Sequence, residues 1–84
     1  MPFVATDTAA VREILAQHGR LSVNVGSLKD DSDLYYAGLT SLATVSVMLA
    51  LEDRFNIEFP ESRLKRKTFE SIESIADAVA ELVG

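Results

Sequence analysis

The feature that most constrains this chain is an apolar helical stretch with a boundary signal at each end. Gly38 interrupts the preceding segment, and either Thr40 or Ser41 can cap a helix N-terminus directly before the apolar pattern begins. Asn56 can adopt the left-handed conformation that ends a helix. These signals predict a helix over residues 41–55, with Ser41 at its start.

The predicted helix carries apolar residues on two sides. At about 100° per residue, the stripe expected to join the core consists of Thr44, Val47, Met48, Leu51 and Phe55. A second stripe, on the side of Ser41, consists of Leu42, Val45 and Leu49. One stripe is enough for a helix to join a bundle. The second stripe therefore either packs under a loop or another helix, or stays open to partners or cargo.

A first helix and a long connection precede this stretch. Asp7 or Thr8 can cap the first helix, and Gly19 can end it. His18 is the single histidine, and we expect it to be partly packed at the helix end rather than catalytic. Residues from about 20 to 39 form a connection with apolar residues spaced through it, so we expect it to lie over the bundle.

Two more helices are predicted after residue 56. Pro60 can open a short third helix that runs through Arg66, and Thr68 can cap a last helix with apolar helical spacing to the C-terminus. The predicted fold is all-α: a small four-helix bundle, with three longer helices and one short one, and a long first loop. With 84 residues, the chain is expected to form a single domain over residues 1–84.

Composition excludes several classes of function. The chain has no cysteine, which rules out a disulfide framework, a thiolate zinc site and a cysteine nucleophile. With one histidine as well, we expect no metal site. The acidic cluster of Asp30, Asp31 and Asp33 lacks the spacing of an EF-hand, so a solvated turn with capping carboxylates is favoured over calcium binding. No catalytic set of serine, histidine and carboxylate is evident.

The charge distribution bears on possible partners. The net charge is −5, yet four of the eight basic residues fall close together, at Arg63, Lys65, Arg66 and Lys67. This basic segment is either a solvated face or a docking patch for an acidic partner or a phosphate. Nucleic-acid binding is disfavoured by the negative net charge and the lack of interleaved aromatic residues. The N-terminus does not resemble a signal peptide and no stretch is long enough to span a membrane, so we expect a cytoplasmic monomer.

The stretch DLYYAGLTSL, residues 33–42, resembles the prosthetic-group site of acyl carrier proteins. Residues 48–60, MLALEDRFNIEFP, are similar to that family's second helix and its exit, and the resemblance covers nearly the whole chain. It implies that Ser41 carries 4′-phosphopantetheine, attached by a phosphopantetheinyl transferase from coenzyme A. Thr40 is one departure, because the family usually has an aspartate at this position. We expect this difference to restrict the set of transferases that can modify Ser41.

The resemblance also implies further partners. Typical members carry carboxylates at the start of this helix, whereas Thr40, Ala43 and Ser46 are uncharged here. The segment GLTSLATV, residues 38–45, resembles the corresponding segment of small carrier proteins that are charged by amino acid:[carrier protein] ligases. The cargo implied is an amino acid, a fatty or other acyl group, or a peptide, passed to a downstream acceptor enzyme. The residues expected to meet partners are Thr40, Leu42, Val45, Arg63 and Arg66.

An alternative needs no prosthetic group. In it, the chain is an interaction-only helical bundle whose second apolar stripe binds a partner helix, and Ser41 is merely part of a helix cap.

Overall fold

Three α-helices, joined by two loops that contain short 3-10 turns, make up the fold. The computed structural model describes the backbone of residues 2–83 and the side chains of residues 8–83. The helices are α1 (Pro2–His18), α2 (Ser41–Phe55) and α3 (Ile72–Val83), and the 3-10 turns span Val25–Ser27, Glu61–Arg63 and Arg66–Phe69. No strand occurs within residues 2–83, so the all-α prediction is confirmed.

The predicted short third helix is confirmed only in part: within the described residues there are three α-helices, with 3-10 turns where the fourth helix was expected. In its place, the two 3-10 turns Glu61–Arg63 and Arg66–Phe69 follow one another. Lys65 is extended, with φ −139° and ψ 159°, and this conformation breaks the segment in two. Each piece is too short to recover the cost of starting an α-helix, so the tighter 3-10 geometry is adopted.

The predicted starts of the first and last helices are wrong. The first helix begins at Pro2, which suits a first helical position, so Asp7 and Thr8 lie inside it and neither is its cap. Thr68 lies in the 3-10 turn before α3 and is buried. The cap of α3 is instead a reciprocal pair, in which Ser71 Oγ accepts the Ser74 amide and Ser74 Oγ accepts the Ser71 amide, both at 3.0 Å.

The end of α1 differs in detail from the prediction. The helix ends at His18, and the Gly19 amide still donates to the Leu15 carbonyl at 2.8 Å. The left-handed conformation falls on Arg20, with φ 51°, rather than on the glycine. His18 is exposed, so the expectation that it is partly packed is wrong.

The core lies where α1 packs against both α2 and α3. Its largest fully buried side chains are Val11, Leu15, Leu34, Val47, Leu51, Ile72, Ile75 and Val79. Leu34 comes from the long first loop, which lies over the bundle as predicted. The loop is held there by backbone hydrogen bonds from the Leu34 amide to the Glu70 carbonyl (2.7 Å) and from the Glu73 amide to the Asp30 carbonyl (2.9 Å).

The acidic cluster in the first loop serves the loop itself. Asp33 Oδ1 accepts the amides of Tyr35 and Tyr36 at 2.9 and 3.3 Å, as expected for a capping carboxylate. Asp30 forms an ion pair with Arg12 of α1 at 2.8 Å. Across the described residues, no group of three or more potential ligands is arranged to hold a metal ion. Among these same residues, no helix is both long and apolar enough to cross a membrane.

Candidate functional site

The start of α2 is fixed by a threonine cap. Thr40 is extended, with φ −94° and ψ 167°, and its Oγ1 accepts the Ala43 amide at 3.1 Å. Its carbonyl accepts both the amide and the hydroxyl of Thr44, at 2.8 and 2.7 Å. The cap is therefore Thr40, and Ser41 is the first residue of the helix with an exposed side chain.

The segment that leads into Ser41 is tied to the start of the first loop. The amide and the hydroxyl of Ser22 both donate to the Ala37 carbonyl, at 2.9 and 2.8 Å. Gly38 has φ +111°, and a Cβ on it would lie 3.0 Å from the Ser22 nitrogen. A side chain at position 38 would therefore be strained by both its conformation and its contacts. Leu39, which follows, is buried in the core.

Ser41 lies on the edge of a cavity between α2 and the second loop, which we call the Ser41 groove. The cavity has a volume of about 390 Å³. Its lining residues are Tyr35, Ser41, Thr44, Val45, Met48, Leu64, Lys65, Arg66 and Phe69. Most of this surface is apolar, so an exposed hydroxyl lies directly beside an open apolar groove.

Tyr35 and Arg66 close one side of the groove. The Arg66 Cζ atom lies 3.8 Å from the centroid of the Tyr35 ring, a cation–π contact. The Tyr35 hydroxyl donates to the Arg66 carbonyl at 2.9 Å. Burial raises the pKa of Tyr35, Arg66 opposes this, and the charges of Glu70 and Asp33 add to the increase. The phenol therefore stays neutral and remains a hydrogen-bond donor at neutral pH.

The second apolar stripe of α2 is exposed to solvent. This agrees with the interpretation that the stripe stays open rather than packing under a loop or another helix. Leu42 is 82% exposed, Leu49 is 55% exposed and Val45 is 49% exposed. Val45 lines the Ser41 groove, whereas Leu42 does not. Leu49 lines a separate cavity of about 470 Å³ between α1 and α2, together with His18.

The structure separates the two arginines that were grouped as partner residues. Arg66 lines the Ser41 groove, but Arg63 is ion-paired with Glu81 of α3 and lines a different cavity. Lys65 reaches both cavities.

Sequence reasoning missed two walls of the groove. No part in a site is predicted for Tyr35 from the sequence, and the last helix predicted after Thr68 would contain Phe69. Both contribute to the groove from loops, and helical periodicity carries no information about such positions. The signal that could have found Tyr35 is its place six residues before Ser41, in the segment that leads into α2.

Residues 9–79 match the family model described as the phosphopantetheine attachment site. The chain belongs to this family. An aminoacyl carrier protein from Agrobacterium fabrum (strain C58) is 51% identical over 71 residues, which cover 84% of this chain and 86% of that protein.

Solved structures of carrier proteins are also similar to this chain. One similar chain comes from the crystal structure of an engineered Bradyrhizobium japonicum glycine:[carrier protein] ligase complexed with carrier protein from Agrobacterium tumefaciens and AMP. It is 49% identical with a TM-score of 0.84, over 87% of this chain and 97% of that chain. A holo acyl carrier protein from Nitrosomonas europaea is 32% identical with a TM-score of 0.77, over 88% and 92% of the two chains.

Family membership confirms the carrier function and its prosthetic group, 4′-phosphopantetheine. The protein is a carrier and not itself an enzyme. The residues present fit the group, because an exposed serine at the first position of α2 lies beside a groove with apolar walls and two basic residues. The attachment to Ser41 remains a prediction, as do the roles of Thr40, Leu42, Val45, Arg63 and Arg66 in partner binding.

Proposed function

We propose that Ser41 carries 4′-phosphopantetheine and that the thiol of this arm holds an aminoacyl group as a thioester for delivery to an acceptor enzyme. The observation that carries the proposal is the exposed Ser41 hydroxyl at the first residue of α2, on the edge of the apolar groove. The chain has no cysteine, so a thiol for thioester chemistry must come from the prosthetic group.

The surroundings of Ser41 favour a phosphate but do not activate the hydroxyl. The amides of Ser41 and Leu42 have no carbonyl partner within the helix, because they belong to its first turn. Together with the helix dipole, these amides favour a phosphodiester on Ser41 Oγ. His18 lines the cavity between α1 and α2 and not the Ser41 groove, so it does not serve as the base.

Attachment therefore requires a separate phosphopantetheinyl transferase. The bond from Ser41 Oγ to phosphorus forms as a phosphoanhydride bond of coenzyme A breaks. Adenosine 3′,5′-bisphosphate leaves, and the serine proton passes to a base on the transferase or to water. This chain contributes the surface that the transferase recognises: an exposed hydroxyl on a helix whose first turn holds no acidic residue.

The proposed cargo is an amino acid, and the charging enzyme an amino acid:[carrier protein] ligase. Two similarities support this: the relative named aminoacyl carrier protein and the carrier protein complexed with a glycine:[carrier protein] ligase. The uncharged start of α2 also differs from the carboxylate-lined helix expected of fatty-acid carriers. We further propose that the protein acts as a monomer in the cytoplasm.

Intact-mass measurement after incubation with a broad-specificity transferase and coenzyme A tests the attachment site. Wild type should gain one phosphopantetheine, and Ser41→Ala should gain none. Ser46→Ala is the matched control, because Ser46 is also an exposed serine on α2 and its variant should be modified like wild type. Modification of Ser41→Ala would overturn the assignment, and no gain in wild type would favour the interaction-only bundle.

Loading the holo protein tests the cargo. Holo protein is incubated with a carrier-protein ligase, ATP and single amino acids, in parallel with a fatty acyl-activating enzyme and its substrates. We expect a mass increase of one aminoacyl residue that hydroxylamine removes, as it does for a thioester. Loading only with fatty acyl groups would leave the carrier function intact and overturn the aminoacyl cargo.

A further inference from the structure

The Ser41 groove combines apolar walls with a positively charged rim. Val45, Met48 and Phe69 supply apolar surface, and Lys65 and Arg66 supply the charge. No carboxylate lines the groove within the described residues. Neither Lys65 nor Arg66 forms an ion pair within residues 8–83, in contrast to Arg63, which is paired with Glu81.

Other charges nearby do not cancel this rim. Asp33 and Glu70 are close enough to influence Tyr35, yet neither lines the groove. Tyr35 adds no charge at neutral pH, because the ordinary pKa of a tyrosine is far above 7 and burial raises the pKa of Tyr35 further. A phosphodiester on Ser41 would bring one negative charge against two cationic side chains, so the groove would keep a positive excess.

We infer that the Ser41 groove sorts the cargo of the arm by charge, admitting an uncharged acyl end and rejecting one that carries an α-ammonium. The inference rests on the proposed function, because Ser41 must carry the arm. Burying an ammonium beside two cations, without a carboxylate, loses hydration and adds repulsion. An uncharged end of the same size loses little hydration and gains apolar contact with Val45 and Met48.

The consequence is a difference in access between two kinds of cargo. An aminoacyl group stays in solvent, where an acceptor enzyme can reach both its amine and its thioester carbonyl. When an acceptor enzyme transfers an amine-free acyl group from an acyl thioester to the amine, the nitrogen loses its proton, an amide bond forms and the donor's thiol leaves. The charge is then lost, and the end of the arm can enter the groove. The groove thus distinguishes substrate from N-acylated product without any contact specific to one side chain.

The test compares two isosteric cargoes, glycyl and propionyl, which differ only in an ammonium against a methyl group. A broad-specificity transferase installs each arm directly from synthetic glycyl- or propionyl-coenzyme A, so no ligase is involved. Methyl NMR shifts of Val45 and Met48 are measured relative to the unloaded holo protein. Propionyl should shift both methyl signals, and glycyl should leave them at their holo positions. Equal shifts from both cargoes, or none from either, would overturn the inference.

Charge reversal tests the cause. Lys65→Glu adds a carboxylate to the rim, so the glycyl cargo should now shift the Val45 and Met48 methyl signals. Lys67→Glu is the matched control, because Lys67 lines the neighbouring cavity and not the Ser41 groove. Its glycyl form should behave like wild type. An unchanged response in Lys65→Glu would exclude the electrostatic cause. Intact mass distinguishes failure of the proposed function, which appears as a missing arm, from failure of the charge selectivity, which leaves the arm in place.

Discussion

Helices α2 and α3 use their apolar residues differently. The buried residues of α3 are Ile72, Ile75, Ala76, Ala78 and Val79. Although α2 is the longer helix, its buried residues are only Ala43, Val47 and Leu51, and its exposed ones include Leu42, Val45 and Leu49. Five of the eight apolar residues of α3 are buried, whereas only three of the nine in α2 are. The exposed stripe of α2 begins beside Ser41, at Leu42.

The N-termini of the two helices also differ, because side chains satisfy more of the free amides at the start of α3 than at the start of α2. At α3, Ser71 and Ser74 satisfy each other's amides, and Glu73 adds a favourable charge in the first turn. At α2, Thr40 satisfies one amide and the first turn carries no acidic residue. The start of α3 is closed by its own side chains, whereas the start of α2 remains open to an anion.

The largest expected effect compares two leucines of α2. Leu51→Ala should lower the free energy of unfolding by about 2–5 kcal/mol, because it leaves a cavity in the core. Leu49→Ala removes the same atoms from an exposed position and should change stability by less than about 0.5 kcal/mol. Urea denaturation measures both. Similar losses would show that the exposed stripe is ordinary core and that α2 and α3 do not differ.

A smaller effect is expected from the cap of α3. Ser71→Ala removes one half of the reciprocal pair and should cost about 1 kcal/mol of stability. Ser62→Ala, at an exposed serine in the 3-10 turn Glu61–Arg63, is the control and should be close to neutral. Thermal and urea unfolding report the difference. A neutral Ser71→Ala would mean that α3 is held by packing alone.

An acidic residue at the cap of α2 should change the rate of phosphopantetheine attachment more than the free energy of unfolding. Thr40→Asp keeps an oxygen that can accept the Ala43 amide, so stability should be unchanged or rise by up to about 1 kcal/mol. We expect faster modification by a fatty-acid-type transferase, because the family's aspartate is restored. Ser46→Asp adds the same charge six residues further along the chain and should not accelerate the reaction. Equal or slower modification of Thr40→Asp would remove Thr40 as a determinant of transferase choice.

A small stability effect and a selective kinetic effect are expected at Val45. Val45→Ala should cost less than about 1 kcal/mol, since the side chain is half exposed. It should raise KM for ligase loading, because the proposed docking surface is apolar, and salt should change this only modestly. Arg66→Glu should slow association, and Asp53→Lys should have little effect.

Loading kinetics at low and high salt measure all three variants. If only Asp53→Lys impairs loading, and salt abolishes loading, docking follows an acidic-helix mode and the open stripe has another purpose.

Sequence reasoning predicted α2 at both ends because its boundary signals are local. Thr40 contacts an amide three residues away, and Asn56 adopts the left-handed conformation itself, with φ 54°. Helical geometry alone likewise predicted the second apolar stripe of α2, but it did not decide between a packed and an open stripe. The prediction of Ser41 as the attachment site followed from the family resemblance together with the predicted start of α2.

The other boundaries depend on distant contacts. Thr68 has the side chain of a helix cap, yet it is buried in a 3-10 turn. The first loop binds this region through the Glu70 carbonyl and the Glu73 amide. Those partners are about 40 residues away in the chain, so no local pattern reveals them. The walls of the groove depend on the same loop placement, and Tyr35 and Phe69 were missed for that reason.

The amide and the hydroxyl of Ser22 both donate to the Ala37 carbonyl, and Gly38 lies close against Ser22. This arrangement affects how the protein tethers its prosthetic arm. It fixes the origin of the arm relative to the body of the protein, while the arm itself is flexible. An enzyme docked within reach therefore meets the cargo at an effective concentration set by arm length and docking geometry alone. Movement of that origin would spread the same cargo over a larger volume and dilute it, with no change in any contact at the reacting group.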